Sequence, residues 1–269
     1  MSDAAPRRNR LKGMFLFLRV VDLHVLAITV LAVLATWLSI EAGIRARLPS
    51  EIIAVAIVFP IVFSINASYR RREEALRQLA AIRAALGSIY LAHRDLPTDP
   101  AAHAERARRL GRALYRAVCE VACVRGACRP EALSEATGLV SDLSRSIAEL
   151  RTAGLAPPDV ARLNGLLGSV VGAFETLRAI LEYRTPASLR AHSKLFLNLF
   201  PVLYAPLYAD IAAEAGIGFG YAVAVAFAVV LVGLDNIQDG LEHPFDALGS
   251  DDVRVNAETD LIWLPPDAR

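Results

Sequence analysis

Three thiols, Cys119, Cys123 and Cys128, and a set of acids beyond position 234 are the side chains of this sequence with the plainest chemical potential. Thiols can hold zinc, but a structural zinc site wants about four ligands in paired spacing such as C-x-x-C. The three cysteines contain no such pair, so they read as free thiols on or near helix faces, and their odd number argues against a disulfide framework. The sequence holds no glycine-rich phosphate loop, no H-E-x-x-H and no G-x-S-x-G elbow. It therefore points to no enzyme and to no cofactor. Asp235, Asp239 and Glu242 fall on one helix and are expected to hold cytosolic helices through arginines rather than to bind a ligand. His24 is expected at a membrane interface.

What must position these residues is an unusually apolar chain. Of its 269 residues 55% are hydrophobic and 21% charged, and the mean hydropathy is +0.40. A soluble domain is about 45–50% apolar. The excess is concentrated before residue 70 and within 195–234. Net charge is +1, which offers no overall attraction for nucleic acid, and none is expected as a partner. From Leu23 to Ile40 the only ionisable side chain is His24, long enough for one crossing at about 20 residues per span. A basic stretch (Arg7, Arg8, Arg10, Lys12) precedes it, but a secretory h-region is only about 7–15 residues. Residues 1–22 are thus expected to be an uncleaved cytosolic or interfacial segment. Ile52–Ile65 carries no charge and continues through Asn66 to Tyr69, so 23–69 is expected to hold two spans, the second bent at Pro60.

From 70 to 194 the pattern becomes amphipathic. Leu76, Leu79, Ile82, Leu86 and Ile89 recur at helical spacing, and Pro97 and Pro100 end that stripe. Further stripes are Leu110–Leu114–Val118–Val121, Leu133–Val140–Leu143–Ile147–Leu150 and Val160–Leu163–Leu167–Val170–Phe174–Leu177–Leu181. This block reads as a cytosolic helical domain whose arginine-rich faces are solvated. Leu195–Ala209 and Ile217–Leu234, separated by 210–216, read as a membrane hairpin, the second arm rich in small residues suited to close packing. Residues 235–269 form an acidic tail. Arginines crowd the N-terminus and the central block, whereas 210–216 has no Lys or Arg. The positive-inside rule then places both termini and the central block in the cytosol. The fold class is all-α: four transmembrane helices and a cytosolic helical bundle. Arg70-Arg71-Arg72 is expected to meet phospholipid headgroups.

Phe63, Asn66, Ser68, Tyr69, Arg71, Glu74 and Ala75 match the pattern F-R-x-N-x-S-Y-D-R-W-W-E-A-R, found at the inner end of the second span in the bestrophin family. Leu234 to Phe245, ending Glu242-His243-Pro244-Phe245, resembles the family's G-L-x-x-I-x-x-x-I-E-x-P-F. A weaker likeness runs from Thr185-Pro186 through Arg190 and His192 into Leu195. The chain departs from the family at Arg70, Arg72 and Glu73, where members carry an acid and two aromatics.

The resemblance implies a homo-oligomeric, pentameric ion channel in a bacterial-type inner membrane, passing monovalent anions such as chloride and surrounded by lipid. Cation-conducting members and a non-conducting scaffold that binds a partner are the alternatives. It also implies a pore neck of apolar residues four apart on the second helix, here Val55, Phe59 and Phe63. Stacked rings of that kind gate by dewetting. Asn66 and Ser68, just inside the neck, would either offer donors to an ion or tie neighbouring helices. Animal members bind calcium after the fourth span. Here only Asp251 and Asp252 are adjacent acids, far short of the roughly six to eight oxygens calcium takes, and no metal is expected.

Overall fold

The computed structural model describes residues 22–47, 50–123, 130–183, 187–242, 245, 255–256 and 259–264, with the side chains of 50–60, 187, 189 and 242 left out. The expected N-terminal segment, Cys128, Thr185-Pro186 and Asp251-Asp252 lie outside the described residues. Those that are described form helices and no strand: α1 (Leu23–Glu41), α2 (Ser50–Asp95), α3 (Pro100–Ala122), α4 (Pro130–Thr152), α5 (Pro157–Glu182), α6 (Ala187–Leu203), α7 (Ala205–Ala215) and α8 (Ile217–Glu242). They divide into two compact units. The first spans 1–69 and 185–242, and the second 70–184 and 243–269.

In the first unit, α1 begins where the Asp22 carboxylate accepts the Val25 N–H at 2.9 Å, satisfying one of the donors a helix start leaves unpaired. Mid-helix, Thr29 and Thr36 donate their hydroxyls to Val25 O and Ala32 O, both at 2.7 Å, which keeps the hydroxyls satisfied without water. α1 packs on α6, α7 and α8. Its buried residues are Val25, Ala32, Thr36 and Ser39, while Leu26, Leu31, Leu34, Trp37 and Leu38 stay exposed. Among the described residues Leu23–Glu41, Arg190–Ala215 and Ile217–Leu241 are long and apolar enough to cross a membrane.

The expected single arm 195–209 is broken at Tyr204. Pro206 stands in the first turn of α7, and proline has no N–H to extend the preceding helix and crowds the carbonyl four residues back. Helix α7 then continues through most of the 210–216 stretch expected to be a loop, and the reversal falls on Gly216 at φ +102°, a conformation that favours glycine. Beyond it α8 lies so close to α7 that a Cβ on Gly220 would meet Ala212 Cβ at 2.6 Å and Tyr208 O at 2.7 Å.

The second unit is a bundle of the latter part of α2 with α3, α4 and α5. Every stripe expected for the central block supplies buried positions: Leu79, Ile82, Leu86 and Ile89; Leu114, Val118 and Val121; Leu143, Ile147 and Leu150; Leu163, Leu167, Val170, Phe174 and Leu177. Each fully buried Leu or Ile contributes about 1.5–3 kcal/mol over an exposed one. The prolines at the starts of α3, α4 and α5 fit a position whose N–H is unpaired anyway. His93 is buried, with Nδ1 2.8 Å from Ile89 O and Nε2 3.1 Å from Ser146 Oγ. A carbonyl only accepts, so Nδ1 carries the proton and the Ser146 hydroxyl donates to Nε2.

Two expectations about arginine are corrected here. Arg108 and Arg112 are buried rather than solvated. Arg108 forks onto Glu105 at 2.9 and 2.6 Å, and Arg112 donates to Leu264 O at 2.9 Å. Arg71, expected at headgroups, donates to Tyr183 O at 2.7 Å and also to Ile180 O. It thereby covers carbonyls that the end of α5 leaves without intrahelical partners. The tail is a packed element of this unit: Phe245, Leu261 and Leu264 join its core, and Asp260 accepts from Tyr115 at 3.0 Å.

Candidate pore helix

The sequence-derived site lies on α2, whose 46 residues unite the expected second span with the first cytosolic stripe. Residues four apart differ by about 40° around a helix axis, so positions 55, 59 and 63 share a face and Asn66 extends it. Val55 and Phe59 belong to α2, and their side chains lie outside the described residues. Phe63 is 61% exposed, with exposed Val62, Asn66 and Tyr69 around it. Ile61, Ser64 and Ser68 point the other way and are 3%, 0% and 0% exposed.

Of the two roles expected for Ser68, a donor to an ion or a tie between neighbouring helices, its burial favours the second. It sits five residues after Phe63, about 140° further round the helix, and is enclosed within the first unit. The structure thus brings Phe63 and Asn66 together on an open face and separates Ser68 from them. Asp251 and Asp252 lie outside the described residues, and among those residues no group of three or more His, Cys, Asp or Glu could hold a metal. In the second unit Cys119 is buried and Cys123 exposed. Burial, then the neighbouring Cys123 and Asp260, push the Cys119 thiol up to about 12, which keeps it protonated and unreactive.

Behind the open face, the first unit holds a polar layer that the sequence reading only partly anticipated. Lys194 Nζ lies 3.1 Å from Asp239 and 4.0 Å from Asp235, so these acids hold α6 within their own unit. His24 Nε2 is 2.7 Å from Asn198 Oδ1, which gives this histidine a partner on α6. A ladder of rings, His192, Phe196, Phe200, Tyr204 and Tyr208, climbs α6 and α7 with centroids 4.3–6.4 Å apart. The four-residue spacing of those aromatics is the sequence signal for this ladder.

The backbone is similar to solved bacterial membrane proteins. A bacterial Bestrophin homolog from Klebsiella pneumoniae, crystallised as a single-residue variant, aligns with a TM-score of 0.70 and 18% identity over 85% of this chain and 92% of that one. A second variant of the same protein aligns at 0.67 and 18% over 89% and 92%. A structure described as a membrane protein aligns at 0.70 and 18% over 86% and 91%. No family model matches the sequence, and no curated protein is similar to it. The chain has a bestrophin-like, all-α fold.

Proposed function

We propose that this chain is one subunit of a bestrophin-like homo-oligomeric ion channel, a pentamer in a bacterial inner membrane, conducting monovalent anions through a neck on α2. The observation that carries the reading is the coincidence of two features. The fold matches that of bacterial bestrophin homologues over most of both chains, and the same helix that carries Val55, Phe59 and Phe63 presents a large apolar side chain, Phe63, at an open face.

In a single copy of the chain Phe63 is 61% exposed. Copies of α2 arranged around an axis would stack rings of Val55, Phe59 and Phe63. A narrow apolar tube of that kind sheds water, and an ion cannot enter it without hydration. Phenylalanine edges carry partial positive charge, so rings turned edge-on tolerate chloride better than a cation. Asn66, one turn inward on the same face, offers amide donors to a partly dehydrated anion.

The test is a subunit count in detergent followed by currents in planar bilayers under a chloride gradient. A five-subunit particle whose reversal potential follows chloride supports the reading. A ring-forming protein without conductance supports a scaffold instead, and a reversal potential that follows the cation overturns the anion assignment.

A further inference from the structure

The buried side of α2 ends in unpaired oxygens. Among the described residues Ser64 Oγ, Tyr208 Oη, Ser68 Oγ, Ser193 Oγ and Gln238 Oε1 are buried without a hydrogen-bond partner, and Ser68, Ser193 and Gln238, the three toward the inner end, are 0%, 2% and 1% exposed. Buried polar atoms are paired in the great majority of cases, and an unpaired one calls for an explanation.

Packing brings these three to one level of the first unit. Ile61 and Ile65 of α2 share a cluster with Leu197 of α6 and with Leu231 and Leu234 of α8. One turn further along each helix, away from that cluster, stand Ser68, Ser193 and Gln238. The Lys194 contacts to Asp235 and Asp239 fix the same register between α6 and α8. Asp235, 3% exposed, is one turn before Gln238 and adds a carboxylate.

All the unpaired atoms are oxygens, and the glutamine oxygen can only accept. In the same layer Lys194 lies 3.1 Å from Asp239 and 4.0 Å from Asp235. A hard cation takes oxygen ligands, and a divalent one wants more carboxylates than this. We propose that Ser68, Ser193, Gln238 and Asp235 form a monovalent-cation site that ties the inner end of the second span to α6 and α8. The site lies on the side of α2 opposite Phe63 and does not depend on the channel reading.

The test is thermal unfolding of the full chain in detergent, in NaCl against N-methyl-D-glucamine chloride at equal ionic strength. The midpoint rises with the logarithm of Na+ concentration above the dissociation constant: at a hundredfold excess the folded-to-unfolded ratio increases about a hundredfold. Ser193→Ala, a small change that removes one ligand oxygen, loses most of that rise while keeping its midpoint in N-methyl-D-glucamine. Gln238→Leu loses the rise as well and removes an unpaired acceptor. Equal midpoints in Na+, K+ and N-methyl-D-glucamine would mean that the layer is closed by water alone, and the proposal fails. A Na+ rise that survives in Ser193→Ala places the ion elsewhere and overturns the assignment.

Discussion

The two units of this chain expose different kinds of residue. In the second, large aliphatic side chains from α2, α3, α4 and α5 are inside and most of the charge is outside. In the first, α1 buries Ala32, Thr36 and Ser39 while Leu31, Leu34, Trp37 and Leu38 face outward, and α8 buries Ala224 and Ala228 while Phe219 and Val230 face outward. Water makes the first arrangement favourable, because burying apolar area is the dominant drive there. Hydrocarbon removes that drive, and small residues that let backbones approach decide the packing instead. The contrast teaches that the same α-helical chain is written for two solvents.

The sharpest way to break that comparison is a pair of leucines. Leu143→Ala, in the core of the second unit, is expected to cost about 2–5 kcal/mol, whereas Leu34→Ala, on the open face of α1, is expected to change detergent stability by less than about 0.5 kcal/mol. Equal losses in denaturant unfolding would erase the distinction. Next in size is Gly220→Ala. Its Cβ would meet backbone as well as side chain, and overpacking of this kind costs about 1–3 kcal/mol. A thermal midpoint indistinguishable from the parent's would show that the α7–α8 contact is looser than described.

A third prediction concerns pH and belongs to the second unit. Burial lowers the His93 pKa, with positive charge at His103 and Arg106 adding to that effect. The folded state then binds the proton less readily than the unfolded state, so His93 contributes stability that is complete above the ordinary value near 6.5 and is lost as pH falls toward the lowered folded value. Unfolding at pH 7.5 and pH 5.5 checks this, and His93→Gln should flatten that part of the profile. Smallest of all is Arg47→Ala. Arg47 pairs with Asp210 at 3.3 Å and Glu214 at 2.5 Å but is 78% exposed, and exposed pairs are worth about 0–1 kcal/mol. A larger loss would mean that this end of the first unit depends on that ion pair.

The central-block stripes were legible because periodicity is a local signal: from Leu79 to Leu177 each apolar repeat became the buried face of a helix. Local pattern did not show that α2 runs as one helix from Ser50 to Asp95, because the change from apolar to arginine-rich sequence alters its surroundings and not its backbone. Nor could it tell Ser68 from Asn66. Two residues apart on a helix, they take opposite faces, and only the packing of Ile61 and Ile65 against α6 and α8 decides which is enclosed. The buried arginines escaped for a related reason, since Arg112 meets Leu264 across 152 positions. Within the site, the shared face of positions 55, 59 and 63 was readable from spacing. The open face at Phe63 was not, because it depends on what the rest of the unit leaves uncovered.

The account of function rests on α2 turning that face toward a shared axis. The direct measurement is single-channel recording of the parent and of Phe63→Ala in planar bilayers, with the subunit count of each particle checked beforehand. Removing a ring of phenylalanines from an apolar constriction should raise unitary conductance or open probability by at least about twofold in an otherwise unchanged oligomer. Identical currents from the two proteins would place Phe63 outside the ion path and contradict the neck.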